Sequence, residues 1–142
     1  MPTIDDDLLK QALENEDNKS VMNLDHAKIK CIKNDILQKL QLPKEKLKKL
    51  HTKLKEYRLV DEISDLHYGS HIRWINLNKP HDIKLTNGAF ICDIKIVDDG
   101  VHIGCRGFMG RMFQVKMNEN IIFQKITPDE HIILSVMDYL NK

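Results

Sequence analysis

The sequence predicts an α+β fold, with two N-terminal helices, a small antiparallel β-meander or SH3/OB-like barrel of five to six strands, and a C-terminal helix. Apolar residues recur at three- and four-residue spacing before residue 58. Short alternating segments with Asn-Gly and Asp-Gly turns follow from residue 68, and a helix-capping pattern stands near the C-terminus. Closing so few strands into a barrel would bury one face and remove the sheet edges.

Two helices are predicted before the β-segments. The first spans about 23–40, where apolar residues form one stripe and end before Pro43. The second spans 43–58, with Pro43 in its first turn and a leucine stripe on one side. Leu8, Leu9 and Leu13 indicate a further short helix in the N-terminal tail.

The two glycine turns predict the register of the central strands. With residues 87–88 and 99–100 as two-residue hairpin loops, alternation places Cys92 and Cys105 on the same apolar face. We therefore expect both cysteines to be buried and His102 to face outward. The last helix is predicted to begin at the TPDE capping box.

Charge and composition divide the chain into three predicted parts: an acidic tail over 1–20, a helical hairpin with a basic second helix over 21–66, and a small β-domain with the C-terminal helix over 67–142. Residues 28–58 hold eleven basic and three acidic side chains, a net charge of +8 within a chain whose net charge is +1. The basic region is therefore expected to contact either a separate partner or the acidic tail, of the same chain or of a neighbouring subunit.

Several classes of protein are disfavoured. No apolar stretch approaches the roughly 20 residues of a membrane span, and the acidic N-terminus does not have the pattern of a signal peptide. Three cysteines without framework spacing indicate free thiols in a reducing compartment. We expect an intracellular protein, cytoplasmic or nuclear, without a membrane partner.

Metal binding and catalysis find little support in the residue spacing. The candidate ligands lack the close spacing of a zinc site; they are His67, His71, His81, His102, Cys92 and Cys105. No local grouping supplies a nucleophile, a base and an orienting group together. We expect neither an enzyme nor a cofactor.

The leading hypothesis is a non-enzymatic interaction or assembly protein with a protein partner or self-association. The alternative is a nucleic-acid-binding accessory protein that uses the basic helix 43–58. Phe108 and Met109, in a glycine-flanked loop, add an expected apolar contact. The predicted contact residues are Lys44, Lys46, Lys48, Lys49, Lys53, Lys55, Arg58, Phe108 and Met109.

Three stretches within 67–140 carry a resemblance: HYGSHIRWINL, LTNGAFICDI and FQKIT before the last helix. Together they resemble a pattern in uncharacterised small proteins of giant (nucleocytoplasmic large) DNA viruses. The resemblance implies a viral context, in the host cell or the virion, and a small β-barrel. It implies no catalytic residue.

Overall fold

The computed structural model describes residues 6–15, 18 and 21–141, so part of the predicted acidic tail lies outside the described residues. The described helices are α1 (Asp6–Glu14), α2 (His26–Gln38), α3 (Lys44–Lys53) and α4 (Pro128–Leu140). The described strands are β1 (Tyr57–Val60), β2 (His71–Asn76), β3 (Ala89–Val97), β4 (Gly100–Arg106), β5 (Met112–Lys116) and β6 (Asn120–Lys125). The α+β class is confirmed.

The helix boundaries follow from capping. Asp25 caps α2, since its side chain accepts a hydrogen bond from the backbone N–H of Lys28 at 2.7 Å. Thr127 and Glu130 form the predicted capping box of α4. The predicted second helix is too long, however: α3 ends at Lys53, and the chain enters β1 four residues later. The apolar stripe that predicted the longer helix extends to Tyr57, which already lies in β1.

By its contacts the chain separates into two compact units, residues 1–58 with 126–142, and residues 59–125. In the first, the helical unit, α1 packs against α4 and α2 contacts both α3 and α4. Its core includes Ala12, Val21, Ile29, Ile126, Ile133 and Leu134. The predicted domain boundary at residue 66 stays a prediction, and the compact units group α4 with the other helices.

The six strands form one open antiparallel sheet in the order β1-β6-β2-β3-β4-β5. The alternative of a closed barrel is therefore wrong. Strands β2 to β5 follow one another as a meander, and β6 then returns to the far side of β2. Because β6 takes the neighbouring position on β2, β5 and β1 remain as the two sheet edges.

The first predicted hairpin is wrong. Segment 82–86 forms no strand, and β3 pairs instead with β2, with Ile72 opposite Ala89. Gly88 has a φ of +92°, and a Cβ there would clash with the carbonyl oxygen of Ile72. The glycine thus allows the chain to pass close to β2 before β3 begins.

The second predicted hairpin forms, but its register is wrong. The loop consists of residues 98–99, so Ile94 lies opposite Ile103 and not opposite Cys105. The register shifts between Ile91 and Asp93, which leaves Cys92 as the extra residue of a β-bulge. The bulge reverses the alternation, so Cys105 is buried as predicted whereas Cys92 is exposed.

One apolar layer holds the second compact unit, the sheet unit, together. Buried side chains from the strands and from the segment after β1 form it: Val60, Leu66, Ile72, Ala89, Ile91, Ile103, Cys105, Val115 and Ile122. Trp74 packs at its margin and meets the ring of Phe113 edge to face, with centroids 6.0 Å apart. The layer is made almost wholly from alternate strand positions, as a half-buried antiparallel sheet requires.

Candidate functional site

Six of the predicted contact lysines form an exposed basic surface on α3 and the turn that follows it. This surface, called the basic surface below, consists of Lys44, Lys46, Lys48, Lys49, Lys53 and Lys55. Glu45 and Glu56 lie exposed in the same segment. The surface therefore keeps an excess of positive charge that its own segment does not balance.

Arg58 is not part of this surface, so the expectation that it is an exposed contact residue is wrong. Its side chain is buried, and its Nη2 lies 2.8 Å from Oε2 of Glu130, whose side chain is also buried. Its Nε donates a second hydrogen bond to the same oxygen at 3.2 Å. Arg58 thus serves the interior, because burying it without the carboxylate would leave an uncompensated charge.

Phe108 and Met109 form an exposed apolar tip between β4 and β5. Their exposed fractions are 88% and 89%, among the largest of the apolar residues described. Met109 takes a φ of +58° and Gly110 a φ of +75°, so the chain reverses tightly here. The exposure of these two predicted contact residues is confirmed, and their role in binding stays a prediction.

A cleft that the sequence did not indicate lies within the helical unit. Its volume is about 560 Å³, and it is lined by three histidines and three lysines: His26, His51, His131, Lys30, Lys33 and Lys55. Ile29 and Ile126 add apolar surface, and Glu56 contributes a carboxylate. We call it the histidine–lysine cleft; its size is within the range of small-molecule sites.

Two histidines that line the cleft, His26 and His131, belong to a row of ionisable groups in close contact. Asp138 holds His26 twice, accepting from its backbone N–H at 2.8 Å and lying 2.6 Å from its Nδ1. Nε2 of His26 lies 3.2 Å from Nδ1 of His131, and the two rings stack. Nε2 of His131 lies 3.5 Å from Glu56.

This row has a preferred distribution of hydrogens. If Nδ1 of His26 donates to Asp138, Nε2 of His26 must accept a hydrogen from Nδ1 of His131. The second nitrogen of His131 faces the Glu56 carboxylate at 3.5 Å, so the row runs from one carboxylate through two imidazole rings to another.

The cleft also holds positively charged groups, one of which is buried. Lys33 is 6% exposed, and its Nζ donates a hydrogen bond to the carbonyl of Leu54 at 2.8 Å. Burial lowers the pKa of Lys33, an effect that Glu56 opposes and Lys30 reinforces. Burial also lowers the pKa of His51, as do Lys33 and Lys30. Positive groups here thus act against one another.

The histidines and cysteines considered from sequence lie elsewhere. Within residues 6–15, 18 and 21–141, no group of three or more His, Cys, Asp or Glu side chains is arranged to hold a metal ion. Cys105 is buried, and burial raises its pKa to about 12, which makes it a poor nucleophile. His102 lies 3.0 Å from Asp99 and contacts Gln114 within the sheet unit.

Sequence reasoning missed the cleft because its residues are far apart along the chain. His26 and His131 are separated by 105 positions, and His26 and Asp138 by 112. No local motif joins them. The remaining signal was that His26, His51 and His131 each lie on a predicted helix or next to its start, and helix pairing was needed to connect them.

Comparison of the chain with protein-family models, curated proteins and solved structures gave no match. The resemblance to small proteins of giant DNA viruses therefore stays a prediction. No helix among the described residues has both the length and the apolar character needed to cross a bilayer.

Proposed function

We propose that this chain is a non-enzymatic interaction or assembly protein that binds an acidic protein partner through the basic surface. The observation that carries the proposal is the exposure of all six lysines on one short helix and its following turn. Clustered charge of one sign accelerates the encounter with an oppositely charged partner and disfavours like-charged ones. The proposal assigns binding, and no chemical step, to this surface.

Because Arg58 is buried, the basic surface has no guanidinium group for two-point recognition of nucleic-acid phosphates, and this supports a protein partner. The guanidinium group binds phosphate with two parallel hydrogen bonds, whereas lysine acts as a compact, hydrated point charge. The basic surface consists of lysines alone. Such a surface suits long-range attraction and an adaptable contact with carboxylates.

Charge reversal tests this proposal. Triple substitution of Lys46, Lys49 and Lys53 by Glu changes the net charge by six units on the basic surface. The same substitution at Lys79, Lys84 and Lys95, which are exposed in the sheet unit, is the matched control. Partners captured from nuclease-treated extracts and quantified by mass spectrometry should be lost with the first variant and kept with the control. Equal recovery with both variants would refute the proposal.

The second candidate is a nucleic-acid-binding accessory protein that uses the same surface. The segment 44–58 contains seven lysine and arginine residues, which led to this hypothesis, and six of their side chains are exposed. Phosphate contacts release counterions, so the affinity would fall steeply with salt. Fluorescence anisotropy with a duplex DNA and a single-stranded RNA should then give a salt slope that the first triple variant reduces. Absence of binding at low salt would exclude this candidate.

The apolar tip is proposed as a second contact for a protein partner. Phe108 and Met109 present most of their side-chain surface to solvent, and Met112 beside them is 58% exposed. Double substitution of Phe108 and Met109 by Ser should reduce partner recovery if the tip takes part. Ile96→Ser, at a 76% exposed position in the β3–β4 hairpin, is the control for general loss of apolar surface.

The proposal includes an intracellular location, cytoplasmic or nuclear, and a viral origin. Three free cysteines, two of them exposed, are compatible with a reducing compartment.

Self-association is the remaining form of the interaction proposal, and sedimentation of the purified protein at several concentrations tests it.

A further inference from the structure

We propose that the histidine–lysine cleft binds a small organic anion that carries a phosphate group and is about the size of a mononucleotide. This site is distinct in kind from the proposed protein contact and does not depend on it. Lys55 belongs to both, since it lines the cleft and lies at the end of the basic surface. The other basic-surface lysines do not line the cleft.

The charge of the cleft favours an anion. Lys30, Lys33, Lys55 and His51 converge on it from α2, α3 and the turn after α3. Burial lowers the pKa of Lys33, an effect that Glu56 opposes and Lys30 reinforces, and burial followed by Lys33 and Lys30 lowers the pKa of His51. An anion seated among them would relieve this repulsion and replace part of the lost hydration.

The available donors suit a phosphate group. A phosphate offers three strong acceptor oxygens and carries up to two negative charges. An ammonium has three donors, and the carbonyl of Leu54 takes one from Lys33. Lys30 and Lys55 are exposed at the cleft, so their ammonium groups can turn toward a bound oxygen.

The carboxylate of Glu56 limits where the phosphate lies. Glu56 lies 3.5 Å from His131 and also acts on Lys33, and Asp138 holds His26, so these carboxylates already have partners. A phosphate close to Glu56 would be repelled. We therefore assign the phosphate to the side of Lys30, Lys55 and His51.

The size of the cleft and its apolar surface indicate that the ligand also has an organic part. A volume of about 560 Å³ exceeds the needs of an inorganic ion and falls within the usual range for small-molecule ligands. Ile29 and Ile126 are both buried, and they present apolar surface to the cleft. A flat or apolar moiety of the ligand would pack there.

Binding should be linked to proton uptake. The charged and titratable groups that face His51 across the cleft are Lys30, Lys33, Lys55, Glu56, His26 and His131. Burial, followed by Lys33 and Lys30, disfavours protonation of His51, and a bound phosphate would favour it. By linkage, the anion then binds more tightly to the protein with His51 protonated, and the proton binds more tightly to the protein that holds the anion.

The test uses the full chain and four probes: AMP, ribose 5-phosphate, inorganic phosphate and adenosine. Histidine ring resonances are followed by NMR during titration, and heats of binding are measured in buffers of different ionisation enthalpy. Binding of AMP should shift the His51 resonance saturably, and the complex should take up protons from the buffer. Adenosine should produce neither effect. Ribose 5-phosphate distinguishes a sugar phosphate from a nucleotide as the preferred class.

Double substitution of Lys30 and Lys55 by Gln should weaken AMP binding about tenfold or more, because two charge-assisted contacts are lost. Both positions are exposed, so the fold should persist, and circular dichroism checks this. The double substitution of Lys44 and Lys48 by Gln removes equal charge outside the cleft and should leave AMP binding unchanged.

Three results would overturn the inference. One is the absence of a saturable His51 shift with AMP, ribose 5-phosphate and phosphate at low salt. Another is equal weakening by the two double variants, since this would indicate diffuse attraction to the whole basic region. The third is binding of inorganic phosphate as tight as that of AMP and ribose 5-phosphate, which would remove the organic part from the proposed ligand. Loss of protein partners in the charge-reversal experiment has no bearing on these outcomes.

Discussion

The helical unit and the sheet unit differ in their most deeply buried polar side chains. The helical unit buries charged side chains: Lys33, Arg58 and Glu130 are each no more than 6% exposed. In the sheet unit, the fully buried Gln124 uses a neutral amide, accepting from the backbone N–H of His67 and donating to the carbonyl of Asp65. An amide holds backbone in place, whereas interior charges require partners and create strong local fields. The helical unit is therefore where we place ligand binding.

The largest expected effect comes from breaking the buried ion pair. Glu130→Gln keeps the side-chain shape but leaves the Arg58 charge unbalanced, and we expect a loss of about 3–5 kcal/mol in the free energy of unfolding. Chemical denaturation measures it. The control is Asp129→Asn in the same helical turn, where only interaction with the helix dipole is lost, and we expect about 0.3–1 kcal/mol. A loss below that of the control would show that the pair does not stabilise the fold.

Replacement of the neutral Gln124 in the sheet unit should destabilise the protein less than replacement of Glu130. Gln124→Leu leaves the N–H of His67 and the carbonyl of Asp65 without the amide, at a cost of about 1–3 kcal/mol for an unsatisfied buried group. The added apolar burial offsets part of this cost, so the total should be smaller than for Glu130→Gln. Denaturation under the same conditions compares them directly. Equal losses would remove the distinction between the two units.

A smaller effect is expected at the cap of α2, where charge and hydrogen bonding can be separated. The pKa of Asp25 is lowered, first by the backbone N–H of Lys28 and then by Asn141. Its carboxylate therefore stabilises the fold above its ordinary pKa of 3.8, and this contribution is lost as the pH falls through the lower folded value.

Asp25→Ala should lower the melting temperature at pH 7 by about 3 °C, because the cap is lost. Asp25→Asn keeps a capping oxygen, so it should lose less at pH 7 and show a shallower decline of stability between pH 5 and pH 2. Parallel acid denaturation curves for wild type and Asp25→Asn would show that the charge of Asp25 does not contribute to the stability of the fold.

The smallest perturbation is chemical labelling of the native protein, which tests the β-bulge. Cys31 and Cys92 are exposed, whereas Cys105 is buried and has its pKa raised to about 12. Iodoacetamide at pH 8 should therefore modify Cys31 and Cys92 rapidly and Cys105 only after unfolding, as read by mass spectrometry of peptides. Protection of Cys92 together with Cys105 would restore the register expected from the turns alone.

The predictions that succeeded rest on local chemistry. The TPDE capping box and the apolar segments that form β2 and β6 each depend on side chains within a few residues of one another. The two hairpin registers failed because Asn-Gly and Asp-Gly pairs favour a turn without determining its strands. Segment 82–86 forms an isolated bridge from Leu85 to Ile75 where the turn rule predicted a full strand.

The sequence by itself determined the α+β class, most of the element positions and the concentration of positive charge in 28–58, since periodicity, capping and composition are local properties. Only the tertiary structure decided the open strand order, the exposure of Cys92, the burial of Arg58 and the histidine–lysine cleft. Each of these depends on contacts between residues distant along the chain, such as Arg58 with Glu130 and His26 with His131. Such contacts depend on how helices and strands pack, which local spacing does not encode.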